Sequence, residues 1–103
     1  MSNTVGFIGF GSMGSLLVNG FLSANAIDEK NTFISTRTKQ KLGELKRKYP
    51  KVNICETNTE LASKCKYIFI CVKPLEVMDV LFEIKNSLLN DVHIISMRMP
   101  KIW

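Results

Sequence analysis

Short apolar runs alternate with helically spaced apolar positions along the 103 residues. Val5-Gly6-Phe7-Ile8 is apolar and stops at a glycine, which reads as a buried strand. From Met13 the apolar positions fall at Leu16, Leu17, Phe21 and Ala24, a spacing that lays one stripe of a helix on a sheet. Asn25 follows as a left-handed cap, since Asn tolerates positive φ. Thr32-Phe33-Ile34-Ser35 predicts a second strand, and Leu42, Leu45 and Tyr49 a second helix, ended by Pro50. Val52-Asn53-Ile54-Cys55 predicts a third strand. Thr57-Asn58-Thr59-Glu60 has the capping-box form and starts a short helix through about Lys64. Tyr67-Ile68-Phe69-Ile70-Cys71-Val72 is apolar continuously rather than alternately, as a strand buried on both faces of a parallel sheet must be. Pro74 suits the first turn of a fourth helix, where its missing N–H costs nothing. The stripe of that helix is Val77, Val80, Leu81, Ile84 and Leu88, and Val92 to Ser96 is a fifth strand.

The order is βαβαβαβαβ, with connections long enough for right-handed crossovers. It predicts an α/β, Rossmann-type parallel sheet in the order 3-2-1-4-5, with helices on both faces. One domain over 1–96 is expected, followed by a tail over 97–103. A chain of this size buries about two-thirds of its unfolded surface, enough for a real core. The absence of an apolar run of about 18 residues argues against a membrane span and a membrane partner. The N-terminal run is broken by glycines and lacks a basic stretch before it, so a cytoplasmic location is expected.

Charge and rare residues narrow the chemistry. Cys55, Cys65 and Cys71 are odd in number and lack CxxC spacing, and they read as small hydrophobes rather than metal or redox groups. His93 is the single histidine, flanked by Val92 and Ile94, and reads as a strand residue at the edge of the core. No metal site is expected, and neither is a catalytic His/Asp pair or a nucleophile with a base. The net charge is +5, with seven cations and one acid between Arg37 and Lys51. Most of that segment reads as a solvated helix face. No reading helix or aromatic platform accompanies it, so nucleic acid is not an expected partner.

Gly9-Phe10-Gly11-Ser12-Met13-Gly14 is GxGxxG, a weak pattern alone. Here it follows a strand and opens an amphipathic helix, the context a dinucleotide-binding turn requires. Gly9 permits the tight turn, Gly11 lets a diphosphate approach the backbone, and Gly14 lets the helix pack closely. The N–H groups near Ser12 and Met13 point at the anion, aided by the positive helix end.

NAD binders usually carry an acid about 20 residues past the glycines to hold ribose hydroxyls. In this chain that region reads Ser35-Thr36-Arg37-Thr38-Lys39, with no carboxylate from Asn31 to Gly43. Hydroxyls and cations suit a dianionic 2′-phosphate, so Thr36, Arg37 and Thr38 are the candidates for preferring NADP(H). A forked arginine contact of about 1.5–3 kcal/mol corresponds to about ten- to a hundredfold in affinity.

The segment Val5 to Gly14 closely resembles the opening of pyrroline-5-carboxylate reductases, part of a wider group with the coenzyme F420-dependent NADP oxidoreductases. The resemblance runs to Ser96. It includes a hydroxyl–arginine pair after the second strand (Thr36-Arg37), Asn58 at the start of the third helix, and Val72-Lys73-Pro74 after the fourth strand. It implies that Asn58 approaches the adenosine ribose and that Val72, Lys73 and Pro74 line the nicotinamide side. It further implies hydride transfer from NADPH to a cyclic imine, giving proline. In this family small residues follow strand five, whereas Met97 and Arg98 here are expected to crowd the nicotinamide. The family's helical C-terminal domain supplies the dimer interface and most of the imine pocket, and it has no counterpart within these residues. The chain alone is therefore expected to bind NADPH without turnover, and no catalytic residue is assigned. The alternatives are a stand-alone nucleotide-sensing module, or the NADP domain of an F420-dependent oxidoreductase.

Overall fold

The computed structural model describes residues 3–37 and 39–96, so Thr38 and Met97–Trp103 lie outside the described residues. Five strands form one parallel sheet: β1 (Val5–Ile8), β2 (Thr32–Ser35), β3 (Asn53–Cys55), β4 (Tyr67–Ile70) and β5 (His93–Ser96). Their order is β3-β2-β1-β4-β5, as the alternation of elements predicts. β1 is central: Val5 pairs with Thr32 on one side and with Tyr67 on the other.

Among the described residues four α-helices connect the strands: α1 (Ser12–Ser23), α2 (Leu42–Lys48), α3 (Asn58–Ala62) and α4 (Val77–Ile84). The continuous apolar runs divide between two layers. Val5, Phe7 and Ile34 pack with Val18 and Leu22 of α1 and Leu42 and Leu45 of α2. Ile8, Ile68 and Ile70 pack with Leu61 and Ala62 of α3 and Val80 and Ile84 of α4. Alternate side chains thus face opposite helical layers, which is why β1 and β4 carry no polar face. Phe7 is fully buried and stacks on Phe69 at 5.1 Å between ring centroids. Gly6 has a role that its place in the apolar run concealed. A Cβ there would lie 2.5 Å from Leu61 Cδ2 and 2.7 Å from Cys65 Sγ, so the glycine lets α3 rest directly on the central strand.

The ends of the elements depart from the sequence pattern in identifiable ways. β4 stops at Ile70, and Cys71 N–H makes the last bond to β1, at the carbonyl of its final residue Ile8. Beyond it the partner strand has turned away. α3 ends at Ala62 rather than near Lys64, where Ser63 Oγ bonds back to the carbonyl of Glu60. Its cap follows the expected box, with Thr57 Oγ1 accepting from Glu60 N–H, but the Glu60 carboxylate accepts chiefly from Glu56 N–H, one residue before the cap, and only weakly from Thr57 N–H. The Glu56 N–H foremost, then Lys64 and more weakly the Thr57 N–H, hold the Glu60 carboxyl below its ordinary range. Pro74 opens a 3₁₀ turn, Pro74–Glu76, before α4 begins. α4 closes at Ile84, so Leu88 packs on the second layer from the following connection instead of extending the helical stripe. Asn25 has φ 58, the left-handed conformation its position predicts.

Candidate dinucleotide site

All five strands point their carboxyl ends the same way, and a cleft of about 960 Å³ opens there. Clefts at this end, where connections from the central strand diverge to opposite sides, are where open α/β sheets hold ligands. Gly9, Gly11, Thr36, Arg37, Asn58, Val72 and Lys73 all line it. Four separate loops are brought together, and only the fold makes them neighbours. Ser12, Met13 and Gly14 form the first turn of α1 immediately behind Gly11, and Pro74 follows Lys73.

The glycine turn is built from backbone constraints. Gly9 has φ +97, and a Cβ on it would lie 3.0 Å from the Cys71 carbonyl group. Its N–H bonds the carbonyl of Ser35 at 2.7 Å, which ties the turn to the end of β2. A Cβ on Gly14 would collide with the carbonyl oxygen of Gly9, so helix and turn touch through backbone. Gly11 differs: a Cβ there meets nothing within 4 Å, although the residue lines the cleft. The helix carries no side-chain cap and no acid in its first turn. Among the described residues the N–H groups of Ser12, Met13 and Gly14 have no acceptor. Such a helix start offers its amides and its positive end to an anion.

Beyond β2 the cleft is lined by polar groups already bonded to one another. The buried Ser35 hydroxyl donates to Asn58 Oδ1 at 2.6 Å, and Asn58 Nδ2 donates to Glu83 Oε1 at 2.9 Å. Arg37 pairs with Glu76 at 2.9 Å, and Lys39 with Glu56 at 3.0 Å. Reading the chain linearly missed Ser35 and four carboxylates, Glu56, Glu76, Asp79 and Glu83, that share these walls. A signal for three of them existed: Glu76, Asp79 and Glu83, spaced at three and four residues, fall on one face of a helix at that position.

The three cysteines are free and buried. Burial pushes the Cys65 thiol up to about 12 and the Cys71 thiol to about 11, so neither is a thiolate near neutrality. His93 begins β5, at the strand ends away from the cleft, and stacks on Tyr67 at 5.1 Å. Among the described residues no group of His, Cys, Asp and Glu has the arrangement of a metal site, and no helix is long and apolar enough to cross a membrane.

Residues 4–100 match the family described as NADP oxidoreductase, coenzyme F420-dependent. The chain is 38% identical over 96 residues to ComE operon protein 4 of Bacillus subtilis, covering 93% of this chain and 35% of that protein. It is 34% identical over 93 residues to pyrroline-5-carboxylate reductase 3 of the same organism, covering 89% and 34% respectively. The crystal structure of Plasmodium falciparum pyrroline carboxylate reductase with NADP bound matches with a TM-score of 0.76 at 34% identity, over 91% of this chain and 32% of that one. A pyrroline-5-carboxylate reductase from Coxiella burnetii matches with a TM-score of 0.83 at 28% identity, over 94% of this chain and 36% of that one. The chain spans about a third of the length of these relatives. It belongs to the coenzyme F420-dependent NADP oxidoreductase family.

Proposed function

We propose that this family member binds NADP(H) across the carboxyl ends of β1, β2 and β4, as the cofactor half of a reductase acting on a cyclic imine. The observation that carries the reading is the glycine turn. Gly11 leaves its side of the backbone open, and the unpaired amides of Ser12, Met13 and Gly14 stand beside it. The donor set fits a dinucleotide. Diphosphate would be held by those amides, the adenosine 2′-phosphate by Thr36 and Arg37 with Thr38 beyond the described residues, and the ribose by Asn58. Val72, Lys73 and Pro74, at the end of β4, are assigned to the nicotinamide side.

When bound, the cofactor supplies the hydride, and the protein's work is to hold and orient the ring while excluding water. Residues 1–96 would make that binding domain. The similarity to pyrroline-5-carboxylate reductases in two organisms supports a C=N bond as the acceptor and proline as the product. In the resembled family most of the imine pocket belongs to a helical domain, so these 103 residues are read as binding NADPH without turnover. Proline formation from pyrroline-5-carboxylate by this chain alone would overturn that part.

Thermal denaturation with NADPH and with NADH tests the cofactor. Ligand at a hundred times its Kd stabilises by about 2.7 kcal/mol. For a domain near 100 residues this raises Tm by about 10–20 °C. A larger shift with NADPH than with NADH is expected, and no shift with either would refute the reading.

A further inference from the structure

The cations after β2 do not stand free in the cleft. Arg37 Nη2 lies 2.9 Å from Glu76 Oε2, and Lys39 Nζ lies 3.0 Å from Glu56 Oε1. Arg37 and Glu76 are 39 residues apart, and their pairing depends on topology. β2 and β4 flank β1, so the ion pair joins the two strand ends on either side of the glycine turn. Glu76 is fixed there by the 3₁₀ turn that Pro74 begins, with its own N–H bonded to the carbonyl of Lys73 at 2.8 Å. The pair is solvated, with the Arg37 side chain 85% exposed and that of Glu76 36% exposed, so it can exchange partners without burying a charge.

We propose that Glu76 is a specificity-determining residue: its carboxylate competes with the cofactor's 2′-phosphate for the Arg37 guanidinium. The inference rests on the NADP(H) reading of the cleft. A guanidinium fork takes a phosphate or a carboxylate by the same charge-assisted geometry. Binding NADPH then exchanges one anion for another, and a displaced Glu76 left beside the phosphate repels it. NADH brings no competing phosphate and leaves the pair intact. Glu76 thus narrows the discrimination between the two cofactors that Arg37 alone would give.

The test is calorimetric titration of the full chain with NADPH and NADH, using the wild type, Glu76→Gln, Arg37→Ala and the double variant. Glu76→Gln keeps shape and removes charge. Solvated ion pairs are weak, so the expected gain is modest: NADPH binds about two- to fivefold tighter. NADH affinity should stay within about twofold, and the NADPH gain should vanish in the Arg37→Ala background. A flat or weakened NADPH response in Glu76→Gln would overturn the inference. So would an equal gain for NADH, or a gain that persists without Arg37. Glu76→Ala removes the same charge and gives a second variant with the same expected sign should Glu76→Gln not fold. Failure of the wild type to bind NADPH would instead sink the cofactor assignment and this inference with it.

Discussion

Replacing Gly11 by alanine separates the fold from the site. The added Cβ meets no atom within 4 Å, and the residue's φ of −78 and ψ of −153 are extended backbone that alanine adopts. Loss of chain entropy in the unfolded state favours the alanine by about 0.4–1 kcal/mol. Gly11 is also the cap of α1, and alanine is a poorer cap by a similar amount, about 0.5–1 kcal/mol. The two effects offset, so Tm should move by no more than about 5 °C. Binding should respond differently, because the methyl occupies the open side of the turn from which a diphosphate would approach. Forfeiting one charge-assisted amide contact, about 1.5–3 kcal/mol, weakens NADPH about ten- to a hundredfold. Gly14→Ala is the control with the opposite signature. Its Cβ collides with the Gly9 carbonyl, a backbone atom that cannot swing aside. Overpacking costs about 1–3 kcal/mol, of which better helix propensity recovers about 1. Thermal melts and calorimetric titration of both variants provide the assay. Wild-type NADPH affinity in Gly11→Ala would refute the placement of the diphosphate, and unfolding of Gly11→Ala would refute the stability argument.

Other outcomes follow from the same geometry. Arg37→Ala should shrink the NADPH-induced rise in Tm and leave the NADH-induced rise unchanged, while equal losses would contradict its role at the 2′-phosphate. The thiols of Cys65 and Cys71 should resist a disulfide reagent at pH 8 in the folded chain and react once denaturant exposes them, since burial lifts them from 9.0 to about 12 and about 11. Their raised values favour the folded state fully below pH about 9, and that contribution is lost as pH rises through 11 to 12. Denaturant titrations should therefore show stability falling across that alkaline window, with a shallower fall in Cys65→Ala.

The glycine turn was legible because its chemistry is local. Gly9, Gly11 and Gly14 lie within six residues, next to a strand and a helix that periodicity identifies. Thr36-Arg37 stood out from its residue types, and Asn58 and Val72-Lys73-Pro74 through the family resemblance; the sheet order then placed Thr36, Arg37, Asn58, Val72 and Lys73 around one opening. The partners of these residues were not legible. Arg37 looked like an unopposed cation because no acid lies near it in sequence, yet Glu76 reaches it from the far side of the glycine turn. The resemblance implied a ribose contact for Asn58, whose amide already bridges Ser35 and Glu83.

The sequence by itself determined that five strands and intervening helices follow one another in parallel order, and where the bend frees the helix amides. It misplaced the buried face of α1, where Gly14, Val18 and Leu22 are buried while Leu16 of the expected stripe is 71% exposed. The tertiary structure alone decided which charges face one another across the cleft, and that Gly6 is the floor on which α3 rests. The physical reason is range. Propensity and periodicity act over a few residues, whereas an ion pair or a packing contact forms between whatever the sheet order brings within a few ångströms, here positions 39 residues apart for Arg37 and Glu76.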